Sequence, residues 1–272
     1  MKPAKFDYVR AETLTEALDV LHHHGSDARI LAGGQSLIPM LNMRLARPAV
    51  LVDIMHIPGL DTINDTGQAL HIGAACRQQT LLARPDLSRR QPLLAAALPW
   101  VGHTQTRSRG TICGSIAHAD PSAEISLVLI ALGGEVVLRN HRRRRRLPAE
   151  LFFTGMMATA RAEDEIIEAV SIPTARPGTG YAFREIARRH GDFAIVGCAA
   201  IIDQNTARLA VAGVADQPTA RDFTLTDLEA ALDAFAWDLD ARDDLHATAA
   251  YRRELVRQVG RQTIEEAQKC RA

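Results

Sequence analysis

Residues 29–37, Arg29-Ile30-Leu31-Ala32-Gly33-Gly34-Gln35-Ser36-Leu37 (RILAGGQSL), set two adjacent glycines and two polar side chains between a short apolar run and an amphipathic segment. Residues 28–31 read as a short buried strand and residues 36–45 as a helix, which leaves Gly33, Gly34 and Gln35 in the corner between them. Missing Cβ atoms let backbone N–H groups in such a corner approach an anion, most simply a phosphate. A plain glycine turn is the alternative. No Gly-Lys-Ser/Thr follows, so this is not a Walker A loop, and the G-x-G-x-x-G spacing of a dinucleotide fold is missing.

Outward from this corner, Thr13-Leu-Thr-Glu16 has capping-box spacing, Ala17, Leu18, Val20 and Leu21 follow at helical period, and Gly25 supplies a stop. A second strand is expected at VLVDI, residues 50–54, which completes a compact βαβ-like opening. From His56 to about Pro173 the pattern predicts strands at 70–74 and 135–139, a glycine-containing turn at 110–115, a helix over 121–132 and a strand through Ile166, Ile167, Val170 and Ile172. Residues 173–180, PTARPGTG, break the chain with two prolines and two glycines. Beyond them, segments 181–186, 193–202 and 207–214 read as an antiparallel meander with a turn at 203–206. Thr226-Asp-Leu-Glu229 is a further capping box, and Leu255, Val259 and Ile264 mark one stripe of a helix over 251–267. The expected class is α+β, with a two-part first domain over 1–175 (about 1–55 and 56–175) and a small antiparallel sheet with packed helices over 176–272.

Composition narrows the function classes. The 272 residues are 47% hydrophobic and carry 32 Lys plus Arg against 32 Asp plus Glu, which argues against a dedicated nucleic-acid binder. MKPAKFDYVRAETLTEAL has no apolar leader pattern and no window reaches membrane-spanning length, so a cytoplasmic location is expected. Cys76, Cys113, Cys198 and Cys270 are dispersed, with no C-x-x-C pair, and read as small buried apolar residues. An iron-sulfur cluster in this protein's chemistry would have to sit on another chain.

A second constellation, Gly110-Thr-Ile-Cys-Gly-Ser-Ile-Ala-His-Ala-Asp-Pro-Ser-Ala-Glu124, offers another donor-rich turn at Thr111, Gly114 and Ser115. Asp120 and Pro121 read as an N-cap and first helical residue, with Glu124 one turn on. Two such corners in one domain could hold the two ends of an extended polyol-diphosphate.

Together, LAGGQSLIPMLNMRLARPAVLVDI, RGTICGSIAHADPSAE, LFFTGM, YAFREIARRHGDFAIVGCAA and YRRELVRQVGRQ resemble, in order and spacing, the FAD-binding medium subunit of bacterial molybdenum hydroxylases, relatives of carbon monoxide dehydrogenase and xanthine dehydrogenase. The resemblance covers essentially the whole chain and implies a PCMH-like FAD domain. It carries residues with it: Ala32, Gly33, Gly34, Gln35 and Ser36 for the loop around the FAD pyrophosphate, with Arg29, Ile30 and Leu31 leading in and Leu37 leading out. Thr111, Ile112, Cys113, Gly114 and Ser115 match the second loop, and Glu124 an acidic residue facing ribityl or ribose hydroxyls. Val101 and Ile166 or Ile167 match apolar lining positions, Arg184 a basic residue on the first strand after the break, and Asp192 the corner near the flavin. His118 and Asp120 join the candidates from the second loop. Cys113 for glycine, Ser115 for asparagine and Glu124 for aspartate depart from the family pattern.

The resemblance further implies an electron-transfer subunit with no catalytic residue or metal ligand of its own. It receives electrons from two [2Fe-2S] clusters on a small subunit, while a molybdenum-pterin cofactor on a large subunit hydroxylates substrate, and it passes them to NAD+, a quinone or oxygen. A dimer of three-chain units is implied, and an aromatic N-heterocycle is the expected substrate. Rival readings are a stand-alone flavin oxidoreductase and a binding module built on Arg142–Arg146. That arginine run reads either as a solvated loop or as a docking patch. His22-His-His24 reads as a helix end rather than a metal site, and His103 either contacts the cofactor or is structural.

Overall fold

The computed structural model describes residues 2–271. The first sheet is parallel, in the order β1-β3-β2, built from β1 (Asp7–Arg10), β2 (Ala28–Leu31) and β3 (Val50–Asp53). Helix α1 (Leu14–His24) crosses between β1 and β2; the Thr13 hydroxyl accepts the Glu16 N–H at 3.1 Å, and Ala17, Leu18 and Leu21 face the sheet. Helix α2 (Leu37–Asn42) follows the glycine corner and is shorter than its sequence suggests, since the chain turns at Met43 and Arg44, the latter at φ 57°.

The second part begins with β4 (Ile63–Asp65) and β5 (Ala69–Gly73), continues through short helices α3 (Gln78–Leu82), α4 (Leu87–Arg90), α5 (Pro92–Ala97), α6 (Thr104–Arg109) and α7 (Ile112–His118), and reaches α8 (Glu124–Ala131). Then come β6 (Glu135–Arg139), β7 (Arg144–Pro148), α9 (Ala149–Phe152), the small ribbon β8 (Phe153–Gly155) and β9 (Ala158–Thr159), and β10 (Ile166–Pro173). The sheet runs β4-β5-β10-β6-β7, antiparallel throughout. Every residue of α8 is buried, because it lies between this part and a third sheet. That sheet is the expected meander, β11 (Gly180–Ile186), β12 (Val196–Asp203), β13 (Thr206–Ala212) and β14 (Thr219–Thr224). One face meets α5 and α8; the other carries α10 (Leu228–Asp238) and α11 (Ala249–Lys269) over a second core.

Several expectations are corrected. Residues 112–118 form helix α7 rather than a glycine turn, because Thr111 caps it by accepting the Gly114 N–H at 3.0 Å. Asp120 does not cap α8: its Oδ1 accepts from the Ser122 N–H at 2.8 Å, which keeps Pro121 in a turn and leaves extended Ala123 at the helix start. Residues 193–195 precede β12 rather than joining it. Thr226 caps nothing, its hydroxyl being turned toward Thr224; Asp227 stands at the cap position without a side-chain bond. Cys270 is exposed, unlike the other three cysteines. His22 to His24 form the last turn of α1, and His141 reaches over to Asp19 at 2.9 Å.

The arginine run is a solvated loop only at its start, where residues 141–143 form an exposed bend. Residues 144–148 are the edge strand β7, and its guanidinium groups are largely matched by carboxylates. Arg145 clasps the wholly buried Glu165 with two bonds of 2.7 Å, Arg143 lies 3.6 Å from the same carboxylate, Arg144 pairs with Glu168 and Arg146 with Glu135. A charged edge also discourages strand-on-strand association. Burial would raise the Glu165 carboxyl, but the Arg145 and Ala162 hydrogen bonds and the charges of Arg145 and Arg143 outweigh it and hold the group below its ordinary value. This stabilisation is present above the ordinary carboxyl value of 4.5 and fades as pH falls below it. Arg145→Ala, which leaves the carboxylate short of donors although the arginine is partly solvent-screened, is expected to cost about 1–3 kcal/mol at neutral pH. Thermal unfolding across acidic pH checks this: the gap between wild type and variant should shrink as the solution is acidified.

Candidate functional site

The sharp ends of the first two parts meet at one contact. A Cβ at Gly33 would strike the Arg109 carbonyl oxygen and stand 2.7 Å from the Gly110 Cα, so only glycine lets the two backbones touch. Gly34 beside it has φ 71°, a left-handed conformation that turns the chain from β2 into α2. On the other side, residues after β5 pin the second corner: the Gln78 N–H donates to the Gly110 carbonyl at 2.9 Å and the Ile112 N–H to the Cys76 carbonyl at 3.1 Å.

Around this junction lies a cleft of about 1070 Å³ that runs on to the third sheet. Arg29, Ile30, Ala32, Gly33, Gly34, Gln35, Ser36 and Leu37 line it from the first corner, and Thr111, Cys113, Gly114, Ser115, His118, Asp120 and Glu124 from the second. Val101, Ile167 and Asp192 also border it. Four expected residues stand elsewhere. Leu31 packs beneath Gly34, Ile112 is wholly within the core, Ile166 belongs to the core under the first sheet, and Arg184 lies on the far face of β11, paired with Glu266 at 2.7 Å. Strand alternation explains the last two. Ile167 turns toward the cleft and Ile166 away, while Arg184 faces α11.

The fold also brings in residues outside the expected set. Arg161 lies beside Arg29, donates to the carbonyls of Ala162 and Glu165, and has its pKa lowered by burial and then by Arg29. Arg188 and Phe193 approach from the loop after β11, and Met156 and Met157 from the β8–β9 turn. Nothing local marks Arg161, whereas Arg188 opens and Phe193 follows the R-R-H-G-D corner that Asp192 already signalled. That loop closes on the opposite wall, where Gly191 abuts Gly102 and His103.

The donor set fits a dinucleotide flavin. Helix α2 begins at the cleft wall, and the first N–H groups of a helix have no intrahelical acceptor; at α7 the Ile112, Gly114 and Ser115 N–H groups are already taken by Cys76 and Thr111, which leaves the Ser115 hydroxyl to offer. Arg29 and Arg161 add positive charge for a diphosphate, Glu124 offers acceptors for polyol hydroxyls, and Val101 and Ile167 supply apolar wall. Cys113 causes no conformational difficulty, since it is helical. Burial, with Cys76 nearby, pushes its thiol well up, so no thiolate stands ready for redox chemistry.

Comparison with known proteins agrees with this geometry. Residues 4–175 match the FAD binding domain in molybdopterin dehydrogenase, and residues 181–267 the CO dehydrogenase flavoprotein C-terminal domain. The chain belongs to this family of FAD-binding medium subunits of molybdenum-hydroxylase oxidoreductases. It is 38% identical to the 6-hydroxypseudooxynicotine dehydrogenase complex subunit alpha of Paenarthrobacter nicotinovorans, over 98% of this chain and 96% of that one. To the nicotine 6-hydroxylase medium subunit of the same organism it is 36% identical, over 98% and 99%. The carbon monoxide dehydrogenase structure from Hydrogenophaga pseudoflava superposes with a TM-score of 0.94 at 34% identity, covering both chains completely.

The Gly33 contact yields a direct expectation. Gly33→Ala must push the two corners apart and should lower stability by about 1–3 kcal/mol, the usual range for overpacking. Urea denaturation of the two proteins measures it; an unchanged midpoint would show that the corners are not in contact.

Proposed function

We propose that this chain seats FAD across the two corners and serves as the electron-transfer subunit of a three-chain molybdenum hydroxylase. The observation that carries the reading is the Gly33 contact with Arg109 and Gly110, which merges two separate loops into one long cleft. Backbone N–H groups of Gln35, Ser36 and Leu37, with Arg29 and Arg161, hold the diphosphate. Thr111, Gly114 and Ser115 hold the adjoining part of the molecule, and Glu124 accepts from its hydroxyls. Val101 and Ile167 shield it from water, and Asp192 lies at the end nearest the third sheet. Leu31, Ile112 and Ile166 support these positions from behind.

When bound, FAD supplies exchange between one-electron carriers and a two-electron acceptor. The chain's own part is to bind and orient it. The one-electron carriers in this reading are two [2Fe-2S] clusters on a small partner subunit, and hydroxylation takes place at a molybdenum-pterin cofactor on a large one. NAD+, a quinone or oxygen receives the electrons, and the assembly is a dimer of three-chain units. The names of the two Paenarthrobacter relatives support an N-heterocycle or related compound as substrate. Among the described residues no helix is long and apolar enough to cross a membrane; a cytoplasmic site of action is proposed with the rest.

Purification of the chain from cells that also make its partner chains tests the proposal. It predicts a flavin spectrum overlaid with iron-sulfur absorbance and two further chains, one large and one small; a colourless, solitary protein that takes up no added FAD would overturn it. A Gly34→Val variant separates binding from folding. With φ 71° and Ile38 Cγ1 3.0 Å from the new Cβ, it should distort the corner and lose flavin while retaining its circular dichroism spectrum.

A further inference from the structure

Behind Glu124 lies a second buried carboxyl group that the cofactor reading does not use. Strand register sets Glu185 opposite Gly197, on the face of β11 that carries Phe183. Phe183 lies 6.4 Å from the ring of Trp100, and Leu127 of α8 packs over Gly197, one turn after Glu124. Glu185 is 7% exposed and Glu124 9%. Neither carboxyl oxygen of Glu185 has a hydrogen-bond partner among the described residues.

The elements packed on this face offer no compensating cation. Helix α5 and residues 98–100 carry no titratable side chain, and α8 carries only Glu124. On β12, Cys198 points into the opposite core and Asp203 is at the far end. From the loop after β11, Arg188 and Asp192 line the cleft, Arg189 is exposed and His190 stacks 4.6 Å from Trp100. Arg252 of α11 is engaged by Asp244 and the carbonyls of Ile195 and Gly213, Arg184 by Glu266, and His118 and Asp120 border Glu124 across the cleft. A carboxylate buried with neither donor nor counter-ion takes up a proton instead. Burial, and then the charge of Glu124, pushes Glu185 up to about 8, while burial, with Asp120 adding, pushes Glu124 up to about 7.

We propose that Glu185 is a neutral carboxylic acid stationed behind Glu124, and that the proton this pair holds limits the cleft wall to a single negative charge where FAD seats. Glu185 is thus a positioning residue that acts through Glu124. The inference rests on the cleft being the FAD site. Loss of the proton sets two negative charges side by side, next to a ligand that carries its own diphosphate. The native chain keeps a proton that the unfolded chain releases above its ordinary carboxyl value of 4.5, so stability falls as pH rises from there to about 8. FAD affinity falls above the same point, by up to about tenfold per pH unit.

The test uses the full chain and Glu185→Gln, which imitates the neutral acid in shape. Infrared spectra in heavy water across pH 6 to roughly 10 report the carbonyl stretch of protonated carboxyl groups, and flavin fluorescence quenching gives the FAD dissociation constant over the same range. The wild type should show a protonated-carboxyl band with a component that titrates near pH 8, absent from the variant. FAD affinity should keep dropping above pH 8 for the wild type, whereas in the variant only the Glu124 step near pH 7 remains and affinity is level above it. If that component is missing from the wild type, or persists in Glu185→Gln, the neutral acid is overturned. If the band behaves as expected while both proteins share one pH profile for FAD, the link to the cofactor seat is overturned. A wild-type chain that takes up no FAD at any pH overturns the cofactor reading and the link together, while the infrared titration, which needs no FAD, still decides the state of Glu185.

Discussion

The contact between Gly33 and the Arg109–Gly110 backbone is the constraint on which the site depends. Each corner by itself is an ordinary helix start, one after β2 and one after an extended Thr111. Pressed together, they become facing walls of one cleft, and the cost of a side chain at Gly33 falls on both backbones at once. The pins that hold Gly110 and Ile112 to the chain after β5 matter for the same reason, since they fix the second corner to the central sheet.

Helix α8 supplies the rigidity behind those walls. Apart from Glu124 and Ser126 it is apolar on every side, because it is enclosed by α5, α7 and α9 and by the third sheet. Its first residue, Glu124, is therefore delivered to the cleft by an element that cannot easily shift. That enclosure also explains the chemistry of the acidic pair, because the packing that orders α8 removes water from Glu124 and Glu185 together. Positive charge is disposed in the opposite way. Arg29 and Arg161 face the cleft with no carboxylate clasp among the described residues, while the conspicuous arginines of β7 and the turn before it are largely consumed by Glu135, Glu165 and Glu168.

Much of this was legible in the sequence where local chemistry and final structure agree. Thr13 with Glu16, the apolar runs at 50–54 and 135–139, the break at 173–180 and the stripe through Leu255 and Val259 all act through short-range patterns that tertiary packing left alone. The failures are equally physical. Thr111 and Gly114 resemble turn residues because a cap and a turn call for the same residue types, and here the cap won. Asp120 preceding Pro121 resembles an N-cap, but its carboxylate found the Ser122 N–H first. Arg144–Pro148 hides a strand because arginine occupies both faces, so no apolar alternation shows. Arg184 and Ile166 sit one position out of phase with the cleft, an error of register that a period of two makes total. Arg161 could not be found locally at all, since only the fold brings it beside Arg29.

The measurement that bears most directly on the account is an experimental structure of the chain with FAD. It should place the diphosphate against the backbone of residues 35–37, with Arg29 or Arg161 beside it, and the polyol near Glu124. A diphosphate bound away from the Gly33–Gly110 junction, with both corners still in contact, would contradict the central claim and return the two glycine corners to the role of structural turns.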